Sequence, residues 1–254
     1  MSKRSRFGMA FHQALGFSSL LMKLPAAEAV FWPGCALLNL DGEILEKTLE
    51  ILRREEPEIR LACGCCGQPT VYLFPEKTKK RRGKLVQLLK KQGVKRIYTA
   101  CPNCTLQLKE FGLEVMPIWP VLARQLKEDD MLPLSDSYIW HDPCPTRQDA
   151  LQQEAVRQIL ALRGCDCTHP AHTGCKTLCC GNKNMLHCTN PTASAQIRQR
   201  RLAEFPEDRI IASSCEGCLS AFRSENRQTA HLLELLFGKS KSRGWHNRLK
   251  NTWK

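Results

Sequence analysis

No stretch of these 254 residues approaches the ~18 uninterrupted apolar residues that a membrane-spanning helix needs. No C-x2-C-x2-C-x3-C-P run occurs, so the residues hold no fused ferredoxin-type module. No thioredoxin-like motif accompanies the thiols, which argues against a general-purpose thiol reagent. No nucleic-acid reader motif accompanies the basic residues either. Near the start, Lys3, Arg4 and Arg6 precede the apolar stretch from Phe7 to Met22, and Ala27-Glu28-Ala29 has the small residues of a cleavage site. The arginines are not adjacent, however, and His12, Gln13 and two glycines interrupt the run. Residues 1–28 therefore read as a helical, amphipathic docking extension rather than an export signal.

What is abundant is cysteine: fifteen residues. In a short secreted chain that content would suggest a disulfide scaffold. Here the count is odd, the chain is long, and the thiols fall in adjacent and C-x-x-C groups, which is metal or redox usage in a reducing compartment. Ten of them form a pattern that occurs twice. Cys65-Cys66-Gly67 is preceded by Cys35 and followed by Cys101-Pro102-Asn103-Cys104. Cys179-Cys180-Gly181 is preceded by Cys144 and followed by Cys215 and Cys218. From the paired thiols onward the two copies are offset by 114 residues. A fixed offset marks a duplicated structural unit.

The elements around the thiols also repeat. Apolar runs at Ala29–Trp32, Ile59–Ala62 and Val94–Thr99 predict strands, each running into a cysteine. Between them, Leu45, Leu49 and Leu52 behind a capping Asp41, then Leu85, Leu88 and Leu89 behind Pro75, predict helices. In the second copy Tyr138–His141, Cys165–His169 and Arg209–Ser213 predict strands. Helices are predicted at Gln148–Leu162, with Ala155, Ile159 and Leu162 inward, and at Pro191–Phe205. The fold class is α/β: two tandem repeated domains, each a small parallel sheet flanked by helices. The first domain is expected at 29–127, an acidic linker with Pro133 at 128–137, the second domain at 138–238, and a basic, disordered tail at 239–254.

In open α/β sheets ligands bind beyond the carboxyl ends of the strands, so three loops per repeat can converge on one point. The C-x-x-C also opens a helix, whose free N–H groups favour an anionic object. Five thiolates are one more than a closed tetrahedral zinc or a cubane cluster uses. Soft thiolates still select zinc or iron–sulfur, and both remain open at this point.

The frame C…CCG…CxxC, with Pro33-Gly34-Cys35 and His141-Asp142-Pro143-Cys144, resembles the cysteine-rich CCG domain found twice in the B-type subunit of heterodisulfide reductases. It is also similar to iron–sulfur subunits of lactate, glycolate and glycerol-3-phosphate oxidation systems. The likeness spans roughly residues 29–237. It implies that Cys35, Cys65, Cys66, Cys101 and Cys104 hold one noncubane [4Fe-4S] cluster. Cys144, Cys179, Cys180, Cys215 and Cys218 would hold a second, at the carboxyl ends of the strands. It further implies a cytoplasmic oxidoreductase subunit, peripheral to a membrane complex in some settings, that reduces a disulfide in one-electron steps. The alternative is an electron-transfer subunit of a lactate- or glycolate-type dehydrogenase complex. Both need a ferredoxin-like or flavin-containing partner, and the first a disulfide or thiol small molecule. A zinc-stabilised interaction protein is the third reading, and zinc in one domain alone a further variant.

Three smaller expectations follow. Cys63, Cys165, Cys167, Cys175 and Cys188 lie outside the frame and read as ordinary thiols, although His169, His172 and His187 nearby make a small metal site conceivable. His141 and Asp142 order the turn before Cys144; the family often has histidine directly after that cysteine, where this chain has Pro145. His231 reads as a packing histidine, with Pro117 at its place in the first repeat. The net charge of +13, concentrated in Lys77–Lys84 and Lys239–Lys254, suits a solvated face or an acidic redox partner before nucleic acid.

Overall fold

The computed structural model describes residues 3–134, 136–165 and 170–254, with side chains from residue 7 onward. The chain forms two compact units: Met1–Ile118 with Ser240–Lys254, and Trp119–Lys239.

The first unit begins with helix α1 (Lys3–Gly16) and strand β1 (Ala29–Trp32). It continues with α2 (Gly42–Arg53), β2 (Arg60–Leu61), α3 (Pro75–Lys91), β3 (Arg96–Thr99), α4 (Pro102–Lys109) and β4 (Glu114–Pro117). The four strands form one parallel sheet in the order β2-β1-β3-β4, with Val30 opposite both Arg60 and Ile97. Parallel strands connected by helices are buried on both faces, and β1 is buried at all four positions. Val30, Trp32, Ile97, Leu85 and Leu89 share one core cluster. Leu88, expected inward, is 38% exposed, because Leu85 and Leu89 already span the helix face that meets the sheet. The Lys77–Lys84 run lies on α3 and is not all a solvated face: Thr78 and Arg82 point inward.

The second unit holds α5 (Trp119–Gln125), β5 (Tyr138–Trp140), α6 (Ala150–Leu162), α7 (Leu186–Thr189), α8 (Pro191–Leu202), β6 (Ile210–Ser213), α9 (Glu216–Arg223), β7 (Thr229–His231) and α10 (Leu232–Phe237). Its sheet is again parallel, in the order β5-β6-β7, with Ile139 opposite Ile211 and Ala212 opposite Ala230. Asp149 caps α6 and Asn190 caps α8 through their side chains. The strand expected at Cys165–His169 falls largely on residues outside those described. Ala155 and Ile159 of α6 are buried as expected, while Leu162, at the frayed end, is 39% exposed.

The C-terminal residues correct an expectation. Composition suggests a disordered basic tail, but Trp245–Trp253 form a helix, α11, that belongs to the first unit. Its lysines face out while Asn247, Arg248, Asn251 and Thr252 face in. Asn251 Nδ2 donates to the Leu38 and Leu40 carbonyls at 3.0 and 2.9 Å. Asn247 Nδ2 donates to the Asn39 carbonyl at 3.2 Å. Asp41, at the start of α2, does not cap that helix with its side chain; its carboxylate accepts from Lys241 N and Ser242 Oγ instead.

Candidate metal centres

In the first unit the five framework thiols sit on three loops at the carboxyl ends of β1, β2 and β3. Parallel strands place those ends on one side of the sheet, so the loops converge. A Cβ built on Gly34 would lie 3.0 Å from Cys101 Cβ and 3.2 Å from Cys104 Sγ, which sets the Cys35 loop against the C-x-x-C. Cys101 is the N-cap residue of α4 and Cys104 lies in its first turn. The thiols form a hydrogen-bonded chain: Cys65 with Cys35, and Cys104 with both Cys101 and Cys66. Donation from Cys65 holds Cys35 well toward thiolate, with His12 and Arg248 acting the same way. Cys65 and Cys104 are pushed up by their neighbouring thiols and by burial.

The second unit repeats this arrangement. Cys144 pairs with Cys179, Cys180 contacts both Cys179 and Cys218, and Cys218 contacts Cys215. Cys215 is the N-cap residue of α9. The Cys179 thiol is pulled down by Cys144 and Cys180, then by the backbone N–H groups of Lys183 and Gly181. Cys144, Cys180 and Cys218 are pushed up in turn. All ten framework cysteines therefore assemble as two sets of five, one set in each unit.

The glycine after each thiol pair has a measurable role. Gly67 and Gly181 take φ of 82° and 83°, where side chains other than glycine's are strained. That turn directs the Gly67 N–H at Cys65 Sγ, 3.4 Å, and the Gly181 N–H at Cys179 Sγ, 3.3 Å. Against each glycine lies a helix bearing a hydroxyl residue and, four positions on, an arginine. In the first unit these are Thr78 and Arg82, whose Nε donates to the Cys66 carbonyl at 2.9 Å. In the second they are Ser194, donating to the Gly181 carbonyl at 2.8 Å, and Arg198. Sequence reading missed this pair. The signal was present as T-x3-R and S-x3-R shortly after each CCG.

His141 and Asp142 are turn-organising residues. The buried Asp142 carboxylate accepts from Trp140 Nε1 (2.7 Å), Arg157 (2.6 Å), Thr173 Oγ1 (2.7 Å) and Gly174 N (2.8 Å). Burial opposes ionisation there, but Arg157 and the other donors win and hold the pKa near about 2. His141 Nδ1 accepts from Arg201 Nε at 3.2 Å. Burial and that guanidinium hold the imidazole neutral, with its pKa lowered to about 3. His231 caps α10, accepting from Leu233 N at 3.2 Å.

The remaining cysteines assemble no second kind of site among the described residues. Cys63 is buried against the Asn251 carbonyl, and burial pushes its thiol up to about 11. Cys188 lies 3.2 Å from His187, and Cys175 is exposed. His172 is taken up by Glu204 at 2.5 Å. Cys167 and His169 lie outside the described residues.

One contributor to the first site was not legible in the motif. His12, on α1, lies 3.9 Å from Cys65 Sγ through Nε2. The potential ligand atoms of His12, Cys35 and Cys65 all lie within 4.8 Å of one another. Gln13, beside it, anchors α1 by donating to Thr70 Oγ1 (3.2 Å) and Thr78 Oγ1 (2.7 Å).

The donor sets suit a thiolate-ligated iron–sulfur group. Each offers five sulfurs, mostly buried, at a helix N-terminus, with backbone N–H groups already directed at sulfur. No disulfide forms among the described cysteines, so none competes for these thiols.

Comparison with known proteins agrees. The chain is 22% identical over 204 residues to the B-type subunit of fumarate reductase (CoM/CoB) from Methanothermobacter marburgensis, a match that covers 75% of this chain and 40% of that one. It thus spans about two fifths of that relative's length. Among solved structures, a hypothetical protein from Helicobacter pylori superposes with a TM-score of 0.50 at 10% identity, over 96% of this chain and 55% of that one. An aspartate racemase of Picrophilus torridus superposes more loosely, with a TM-score of 0.36 at 11% identity over 89% of this chain and 100% of that one. The cysteine-rich CCG domain matches twice, at residues 29–109 and 138–223, over the same strands and loops that bring the two sets of thiols together. The chain belongs to the CCG cysteine-rich domain family.

Proposed function

We propose that this chain is an iron–sulfur redox subunit that reduces a disulfide, with one noncubane [4Fe-4S] cluster at each five-thiol site. The observation that carries the reading is the duplication of a complete thiol set, each at the carboxyl ends of a parallel sheet. When bound, such clusters supply single electrons at low potential. The protein's own contributions are specific. Cys101 and Cys215 place their sulfurs at helix N-termini, where the N–H groups favour negative charge. Gly67 and Gly181 add an N–H to the first sulfur of each pair. Arg82 and Arg198 fix the helices behind those turns.

The overall reaction takes two electrons and two protons into one S–S bond and releases two thiols. The electrons come from a ferredoxin-like or flavin-containing partner. The exposed lysines of α3, Lys77, Lys79, Lys80 and Lys84, suit docking to an acidic surface on it. The CoM/CoB couple in the relative's name gives an indication of substrate class. The second reading is a relay subunit of a lactate- or glycolate-type dehydrogenase complex, which would pass electrons without breaking a substrate bond.

A thiol-release assay separates the two. Anaerobically reconstituted protein, supplied with a low-potential electron donor, should release two thiols from a small-molecule disulfide for every two electrons consumed. Reduction of the iron with no thiol release from any disulfide tried would favour the relay.

A further inference from the structure

Arg248 is a buried guanidinium without an acidic partner among the described residues. It is 2% exposed, and neither its Nε nor one of its terminal nitrogens meets an acceptor. Other arginines near the thiols have carboxylates: Arg82 with Glu110, Arg157 with Asp142, Arg198 with Glu225 and Arg201 with Glu204. An unpaired buried charge costs several kcal/mol, so a fold that keeps one has an anion to offset it. The position of Arg248 says where that anion sits. The point where a Cβ on Gly16 would fall is 3.6 Å from Cys65 Sγ and 3.9 Å from Arg248 Nη2. The guanidinium also acts electrostatically on Cys35, as does His12.

The placement is built rather than incidental. α11 is tied by Asn247 and Asn251 to the carbonyls of Leu38, Asn39 and Leu40, the turn that follows Cys35. Arg248 shares the face of those two asparagines, and its guanidinium lies 5.2 Å from the Trp245 ring centre. On the other side, α1 is tied by Gln13 to Thr70 and Thr78, and Thr70 in turn to the Gly67 carbonyl. Each outer helix is therefore anchored to a cysteine-bearing loop and carries one donor to the same pair of sulfurs. Both helices lie outside the two stretches that match the family.

We propose that His12 and Arg248 are positioning residues of the first site, donors that offset part of the anionic charge of its cluster and raise its reduction potential above that of the second. The proposal rests on the iron–sulfur reading above. In the second unit Arg157, Arg198 and Arg201 are already paired with carboxylates and add little net field. At the first site the charge of Arg248 remains for the bound group. Electrons entering the chain would settle first at the first site.

The test is an EPR-monitored redox titration of the full chain, reconstituted anaerobically, with iron, sulfide and thermal melting measured on the same samples. Loss of one signal in Cys66→Ala and of the other in Cys180→Ala assigns the two sites. Arg248→Met should shift the first-site potential downward and leave the second where it was. His12→Gln should do the same to a smaller extent, and Arg248→Lys should recover most of the loss. Lys250→Met, an exposed change on the same helix, should move neither. If Arg248→Met does not fold, His12→Gln and Arg248→Lys carry the comparison. Full iron content with an unmoved first-site potential in Arg248→Met and His12→Gln would overturn the inference alone. So would an equal shift of both sites. A wild-type chain that takes up no iron would overturn the iron–sulfur reading and this inference with it.

Discussion

In the second unit the groups that surround the cysteines come from inside the repeat: His141 and Asp142 just before Cys144, Arg157 on α6, Arg198 and Arg201 on α8. In the first unit, part of that surround comes from the two ends of the chain, His12 on α1 and Arg248 on α11. Where His141 stands three residues before Cys144, Trp32 stands three before Cys35. The two halves thus share the sulfur frame and the glycine turn but differ in what sets the charge around them. Duplication preserved what the metal group needs as ligands. The environment, which tunes rather than holds, diverged.

The largest effect that would sharpen this comparison is loss of one sulfur from each frame. Cys66→Ala should remove about half of the iron, all from the first site, and Cys180→Ala the other half. Iron counts that fall together in either variant would show that the sites are not separate. Asp142→Ala comes next. It strips four donors of their acceptor and leaves the Arg157 guanidinium unpaired, at a cost of about 3 kcal/mol. The loss should appear in the melt and in second-site iron only.

The two glycines allow a finer comparison. Alanine at either position costs about 1–2 kcal/mol for its left-handed backbone alone. At Gly181 the new Cβ would also meet the Ser194 carbonyl oxygen at 2.4 Å, whereas at Gly67 the nearest groups are the Thr78 methyl at 2.9 Å and Arg82 Nε at 3.0 Å. Side chains yield more cheaply than backbone. Gly181→Ala should therefore lower stability more than Gly67→Ala, by denaturant titration, and equal losses would contradict the geometry. The smallest effects belong to the thiols outside the frame. Cys175, exposed, should alkylate readily, while Cys63, buried with its thiol pushed up to about 11, should resist alkylation at neutral pH until the chain unfolds. Neither Cys175→Ala nor Cys165→Ala should alter iron content.

The sulfur frame was legible because it is local. Adjacent thiols, a C-x-x-C that opens a helix and a strand running into each motif are patterns within a few residues, and all ten cysteines fall where those patterns place them. The α/β class was legible for the same reason, since apolar runs alternate with helical periods. What escaped is long-range or masked by composition. His12 and Cys65 are 53 positions apart, and nothing in either neighbourhood names the other. The last residues read as a disordered tail because Lys and Arg dominate their composition. The helix was written in a sparser code: Asn247 and Asn251 one turn apart, with Trp245 and Trp253 in a stretch that disorder would leave without aromatics. Arg82 was hidden inside a basic run, where one inward arginine is indistinguishable by charge from its solvated neighbours.

The central claim is that two sets of five thiolates hold two iron–sulfur groups, and metal content tests it most directly. The full chain should be reconstituted anaerobically with iron and sulfide, freed of excess, and assayed for iron, sulfide and zinc. About eight irons per chain, with matching sulfide and little zinc, is the result expected of two four-iron clusters. Stoichiometric zinc with negligible iron would contradict the claim and leave a zinc-stabilised interaction protein in its place.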